Sequence, residues 1–294
     1  MAGDIVDVPG VLVGHWTHPT EATGCTVVVL PDANETAVEV RGAAPGSRET
    51  DLLRPGMSVR RADAILLAGG SAFGLAAADG VMVELEADGR GHPTPAGPVP
   101  IVPAAVIYDL TRHDPSVRPD AAAGAAAYRA ASTRPLPGRW VGAGAGATVS
   151  KWRGPDAVLP GGVGAASVRV GAVTVGALAV VNALGDVFSP DGRPLTGGGP
   201  GLVPPAWVDG RGPRGLHTTL VVVATDGVGG SVDRMALRAQ DALAATIRPS
   251  HTGHDGDIAF ASRVEGEYDI DGELCHEAAF WAVAAAIVAA VSGP

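Results

Sequence analysis

Four groups of residues in this sequence have side chains and spacings that could do chemistry. The first is GGSAFG at positions 69–74. A strand, a glycine turn and a helix would lift Ser71 much as a nucleophile elbow does. Phe73, however, stands where G-x-S-x-G requires its second glycine, so Ser71 is read as a helix N-cap. The second is GAGAGA at 142–147, a loose dinucleotide-loop pattern. It lacks a preceding strand and a following acidic residue, so close backbone approach is the better use of its glycines. The third is HTGHDGD at 251–257. His251, His254, Asp255 and Asp257 are all possible metal ligands, but their spacing fits no zinc motif, and a solvated acidic turn explains them as well. Two carboxylates this close should still perturb each other's titration. The fourth is Thr218 at the head of HTTLVVVATD, with Lys151 in GATVSKW and Asn182 in ALAVVNALGD. An amide inside an apolar run must find hydrogen bonds, and so it often orients something. An exposed lysine and a strand-end asparagine remain the plain alternatives.

The elements that must position these residues follow from patterning. Short runs rich in branched residues predict strands at 25–31, 36–42, 63–69, 175–183, 218–225 and 257–263. Helices are predicted from Ser71 to Gly89, from Ser231 to Pro249 and over 273–291. There is no fixed-period repeat and no regular βαβ cadence, so mixed sheets with helices on their outer faces are expected. Residues 189–216 hold eight Gly and six Pro in 28 positions, which predicts an exposed, irregular linker ending just before the threonines.

Bulk properties narrow the function class. The chain has 294 residues, 46% hydrophobic and 18% charged, enough for a sizeable core. A formal net charge of −10 without a Lys/Arg cluster argues against nucleic acid as a partner. Cys25 and Cys275 are far apart in sequence and form no redox or metal motif, which fits a reduced, cytoplasmic protein. The first residues carry Asp4 and Asp7 with no cationic stretch, so they are not read as a secretion signal. The apolar stretch 278–291 is short for a membrane span and is read as a core helix.

Six stretches, LLAGGSAFGLAAADGV, PIVPAAVIYDL, GAGAGATVSKWRG, ALAVVNALGDV, HTTLVVVATD and HDGDIAFA, together resemble the L-aminopeptidase/D-esterase family of autoprocessing N-terminal-nucleophile hydrolases, which includes β-aminopeptidases and nylon-oligomer hydrolase. They run in family order over about the whole chain. The resemblance implies a four-layer αββα sandwich and a single domain over 1–294. It also implies self-cleavage between His217 and Thr218 into 1–217 and 218–294. The new amino terminus would supply both nucleophile and base: the Thr218 hydroxyl attacks and the α-amine takes its proton. By motif, Lys151 resembles the family's cationic residue beside the nucleophile, and Asn182 its oxyanion-hole asparagine. Asp255 and Asp257 resemble its acidic pair, and Tyr108 a pocket tyrosine. His217 departs from the Asn or Gly usual before the nucleophile, which bears on the rate of self-cleavage.

The implied substrate is a small peptide, amide or ester with a free amino group. No metal or cofactor, no nucleic acid and no membrane is implied, and a homo-oligomer of cleaved heterodimers is. Three alternatives stand beside this reading: an endo-acting ω-amino oligomer hydrolase, an acyltransferase resembling the ornithine acetyltransferases, and an uncleaved relative that only binds a small molecule.

Overall fold

The computed structural model describes residues 3–197 and 217–292. Its principal strands are β1 (Leu12–Thr17), β2 (Gly24–Val29), β3 (Asn34–Val40), β4 (Ser47–Arg48), β5 (Ala64–Ala68), β6 (Ala104–Val106), β7 (Gly162–Val170), β8 (Val173–Asn182), β9 (Thr218–Gly227) and β10 (Ile258–Tyr268). They form two five-stranded mixed sheets, ordered β1-β2-β5-β6-β4 and β7-β8-β9-β10-β3. Four helices among the described residues cover them: α1 (Ala77–Ala87), α2 (Ala121–Arg129), α3 (Val232–Thr246) and α4 (Gly272–Ser292).

Three separate cores correspond to the three interfaces of an αββα sandwich. Cys25, Val27, Leu66 and Ala68 of the first sheet pack on Val81 and Leu85 of α1 and Ala123 of α2. The opposite faces of the same strands carry Val28, Ile65 and Leu67, which meet Leu178, Val180, Leu220, Val222 and Phe260 of the second sheet. The outer face of that second sheet, with Ala179, Val221, Val223 and Ala261, packs on Met235 of α3 and Val283 and Ile287 of α4. Side chains alternate along a strand, so each buried strand serves two cores at once. That is why these strands read as unbroken apolar runs rather than alternating ones.

Small residues let the layers close up. A Cβ on Gly80 of α1 would collide with the Ala121 carbonyl, and one on Gly124 of α2 with that of Ala77, so the two helices touch backbone to backbone. Helix α4 is long and apolar enough to cross a membrane, but here it buries Ala282, Val283, Ala286 and Ile287 in the core against the second sheet.

The predicted strands are all present, with ends shifted by a few residues. One helix start differs from expectation. Ser71–Ala76 is a 3-10 segment and α1 begins only at Ala77; Ser71 lies at φ +54° and makes no capping bond. Its N–H instead donates to the Ile107 carbonyl at 2.9 Å, tying the turn to the segment after β6. Ser231 sits at the N-cap of α3 without a side-chain bond there. Within the predicted linker, residues 189–197 form a turn that is partly buried. Val187 N donates to Thr196 Oγ1 at 2.8 Å, and Ser189 N donates to the Arg193 carbonyl at 2.9 Å. The rest of that linker, 198–216, lies outside the described residues.

Candidate active site

Strand pairing brings the candidate residues together. Strand β9 lies between an antiparallel neighbour, β8, and a parallel one, β10. The antiparallel pairing places the last residue of β8, Asn182, opposite the first of β9, Thr218. The parallel pairing places the loop that enters β10, Asp255-Gly256-Asp257, beside the same end of β9, and His217 bridges to Asp255 there. Residues two apart share a face, so Thr218 lies on the face of Leu220 and Val222, between the sheets. Thr219 lies on the face of Val221 and Val223, toward α3 and α4. The two adjacent threonines therefore have different surroundings.

Thr218, 5% exposed, donates from its hydroxyl to the His217 carbonyl oxygen at 2.5 Å. The Gly256 N–H donates to the same oxygen at 2.9 Å. Gly256 is packed so closely that a Cβ there would lie 2.7 Å from Thr218 Oγ1 and 2.8 Å from the Ala44 carbonyl oxygen. Only glycine fits at that distance.

Asn182 is fully buried. Its Oδ1 accepts from Lys151 Nζ at 2.7 Å and from the Thr148 N–H at 3.0 Å, while its Nδ2 donates to the Tyr108 carbonyl at 3.2 Å. Tyr108 follows β6, so this bond links the two sheets across the site. It is the Tyr108 backbone, rather than its ring, that makes this contact. Lys151 also donates to the Asn182 carbonyl at 3.0 Å. It is held there because Ser150 N and Trp152 N donate to the Gly185 and Leu184 carbonyls just beyond β8. The exposed-lysine alternative is thus overturned. Burial lowers the Lys151 ammonium to about 7, against the attraction of Asp255 and with added repulsion from Arg112.

The acidic pair is buried as well, with Asp255 and Asp257 each 2% exposed, which corrects the expectation of a solvated turn. Thr252 N donates to Asp255 Oδ2 at 2.8 Å. Thr219 N donates to Asp257 Oδ1 at 2.7 Å. Burial, then the negative charge of Asp257, raises Asp255 to about 6. His217 is also buried, and burial followed by repulsion from Lys151 and His254 lowers its ring to about 3. That imidazole is therefore neutral at physiological pH.

Two supports escaped the sequence reading. Asp109, next to Tyr108 and buried, accepts the Gly70 N–H at 2.7 Å and stands 3.4 Å from His113 Nε2. It braces the segment that carries the Tyr108 carbonyl, and its only sequence signal is an acid inside an apolar run. The second is His251, which the sequence offers as a metal ligand or part of a solvated turn. Its ring instead contacts Asp257 at 3.0 Å. Among the described residues, no group of three or more His, Cys, Asp or Glu is arranged to hold a metal ion.

The loop GAGAGA is used for close packing. Gly142 N and Ala143 N donate to Thr17 and Thr26 hydroxyls, and a Cβ on Gly146 would lie 2.7 Å from the Asp109 Cβ.

Comparison with known proteins agrees with this architecture. The profile of peptidase family S58 matches residues 3–293. An uncharacterized aminopeptidase of Mycobacterium leprae is 44% identical over 292 residues, covering 87% of this chain and 77% of that protein. A 6-aminohexanoate-oligomer endohydrolase of Paenarthrobacter ureafaciens is 31% identical over 277 residues, covering 87% and 73%. Among solved structures, a Burkholderia sp. β-aminopeptidase superposes with a TM-score of 0.73 at 22% identity, over 99% of this chain and 86% of its own. The L-aminopeptidase D-Ala-esterase/amidase of Ochrobactrum anthropi, a variant of the Ntn-hydrolase fold, superposes with 0.70 at 20%, over 98% and 85%. The last two likenesses establish the fold.

Proposed function

The chain belongs to peptidase family S58, and on that premise we propose that it is an autoprocessing aminopeptidase whose nucleophile is Thr218. Membership makes it a hydrolase of the peptidase type. One observation carries the finer assignment. The Thr218 hydroxyl lies against the carbonyl of the peptide bond before it, and the Gly256 N–H holds that carbonyl oxygen from a second direction.

In self-cleavage the hydroxyl oxygen adds to the His217 carbonyl carbon, and Gly256 N–H stabilises the oxyanion. The bond to the Thr218 nitrogen then breaks, and that nitrogen takes up the hydroxyl proton, leaving an ester and a free amine. Water hydrolyses the ester to the His217 carboxylate and restores the hydroxyl. The products are residues 1–217 and 218–294, which stay joined through the β8–β9 and β10–β3 ladders.

Turnover then uses the freed α-amine as base for the Thr218 hydroxyl. Asn182 and Lys151, paired at the end of the strand beside Thr218, are assigned to stabilise the charge that develops on the substrate's carbonyl oxygen. A lysine held near neutrality can also share a proton with the amine. Asp255 and Asp257 supply negative charge for an ammonium, either that of Thr218 or that of the substrate, which favours small peptides, amides or esters with a free amino group. Tyr108 is assigned to the substrate pocket by its place in the family motif. We place the enzyme in the cytoplasm as a homo-oligomer of cleaved heterodimers that uses no cofactor, nucleic acid or membrane.

The likeness to an oligomer endohydrolase supports a second substrate class, ω-amino oligomers cut internally, on the same machinery. Intact mass and amino-terminal sequencing of the purified protein test the proposal. Two chains, one starting at Thr218, are expected from the wild type, and one chain of full mass from Thr218→Ala. A mutant that still splits at this bond would overturn the assignment of the nucleophile.

A further inference from the structure

The ring of His251 has two partners that a neutral imidazole cannot serve together. Nδ1 lies 3.0 Å from Asp257 Oδ2, and Nε2 lies 3.3 Å from the Gln240 carbonyl oxygen on α3. The His251 backbone N–H donates to the same Oδ2 at 3.0 Å, and Oδ1 accepts from Thr219 N. Both oxygens of this carboxylate thus already accept a backbone N–H, which leaves Oδ2 to face the ring as an acceptor. A neutral imidazole has one N–H and one lone pair, whereas an imidazolium has two N–H groups. With a carboxylate on one side and a carbonyl on the other, only the imidazolium satisfies both.

We infer that His251 is a positioning residue of the candidate site: an imidazolium that pins the Asp257 carboxylate to the head of β9 and sets the charge of the acidic pair. The chain Gln240 carbonyl, His251, Asp257, Thr219 N–H runs from helix α3 to the residue after the nucleophile. It fixes β9 in the register that presents Thr218. The catalytic part of this assignment rests on the function proposed above; the protonation state does not.

The groups facing the ring agree. Burial disfavours its charge, but the bond to Asp257, the charge of Asp257, the Gln240 carbonyl and the charge of Asp255 outweigh that and raise its pKa above the ordinary value. Asp255 in turn attracts the Lys151 ammonium. The backbone of His251 is left-handed, φ +54°, a conformation that asparagine tolerates better than most residues. His251→Asn therefore keeps the turn and one donor while removing the charge.

Two measurements test the assignment. In the first, the full-length protein labelled with 15N-histidine is followed by two-bond 1H–15N correlation spectra from pH 6 to 8. The His251 signals are identified by their loss in His251→Asn or, should that variant not fold, in His251→Gln. Both ring nitrogens protonated at pH 7.5 are expected, and a neutral tautomer there would overturn the inference.

The second is the pH dependence of kcat/KM for an amino-acid p-nitroanilide, with wild type and His251→Asn both checked for processing by intact mass. Loss of the cation raises the pKa of the acidic pair. The acidic limb then moves up by about one pH unit, a roughly tenfold loss at the acid end with little change at the alkaline end. An unchanged profile, or a loss equal at all pH values, would overturn the positioning role. Failure of the wild type to split at 217/218 would count against the proposed function alone, since the spectra need no turnover.

Discussion

Asn182 and Thr218 stand opposite each other across the β8–β9 ladder, the last residue of one strand facing the first of the next. The pair joins a hydroxyl held against a carbonyl to an amide held by Lys151, Thr148 and Tyr108. Removing the amide should therefore have two separable effects. Asn182→Ala is expected to lower kcat by about 10²- to 10³-fold, as loss of one oxyanion donor typically does. It should also cost about 1–3 kcal/mol of stability, because Thr148 N and Lys151 Nζ lose a buried acceptor. Steady-state kinetics and urea unfolding read the two effects; a change in KM alone would assign Asn182 to substrate binding.

Thr219 and Gly256 should respond in opposite ways to substitution. Thr219 Oγ1 is buried among apolar side chains without a hydrogen-bond partner among the described residues. Thr219→Val is thus expected to keep processing and activity and to leave the melting temperature equal or higher. Gly256→Ala, by contrast, would press a methyl group against Thr218 Oγ1 and the Ala44 carbonyl. Processing should stop or slow strongly in that variant. A denaturing gel of both proteins distinguishes these outcomes, and loss of processing in Thr219→Val would reverse the assignment.

Lys151 should carry a pH-dependent stability cost. Its folded pKa, about 7, lies below its ordinary value of 10.5, so the unfolded chain binds more protons between those values. Stability then rises with pH from about 7 to 10.5, and the cost is largest below about 7. Lys151→Met is expected to raise the melting temperature most at pH 6, with a gain that fades toward pH 10, while kcat falls. A gain independent of pH would mean that the ammonium is not desolvated.

Asp255 should show the mirror effect. Its folded pKa is raised from 3.8 to about 6, so the folded chain binds more protons in that interval and stability declines as pH rises through it. Asp255→Asn, which can still accept the Thr252 N–H, should match wild type in melting temperature at pH 3.5. At pH 7.5 it should exceed wild type while turning over slowly. A variant less stable than wild type at pH 7.5 would show that the carboxylate supports the fold.

Substrate choice follows from the buried negative charge. Amino-terminally acetylated substrates are expected to be hydrolysed far more slowly than free ones, measured as kcat/KM on matched pairs. Equal rates would shift the assignment to an endo-acting oligomer hydrolase on the same scaffold.

The sequence by itself determined the strands and, through its family resemblance, implied the four layers and the candidate residues. Short runs rich in branched residues at 25–31, 63–69 and 218–225 marked strands, and the resemblance of HDGDIAFA marked Asp255 and Asp257. Local chemistry is enough for this, because burial and turn geometry are encoded over a few neighbouring residues. Tertiary structure decided the environments. Whether Lys151 is a surface cation or a near-neutral amine depends on its bond to Asn182, 31 positions away, and on burial that only packed layers create. The face of Thr218 was set by the register of β9 between β8 and β10, since one residue of slip would exchange it with Thr219. His251 looked like a metal ligand because sequence shows a side chain's chemistry but not its partners; Gln240 and Asp257 reach it only after α3 packs on the second sheet.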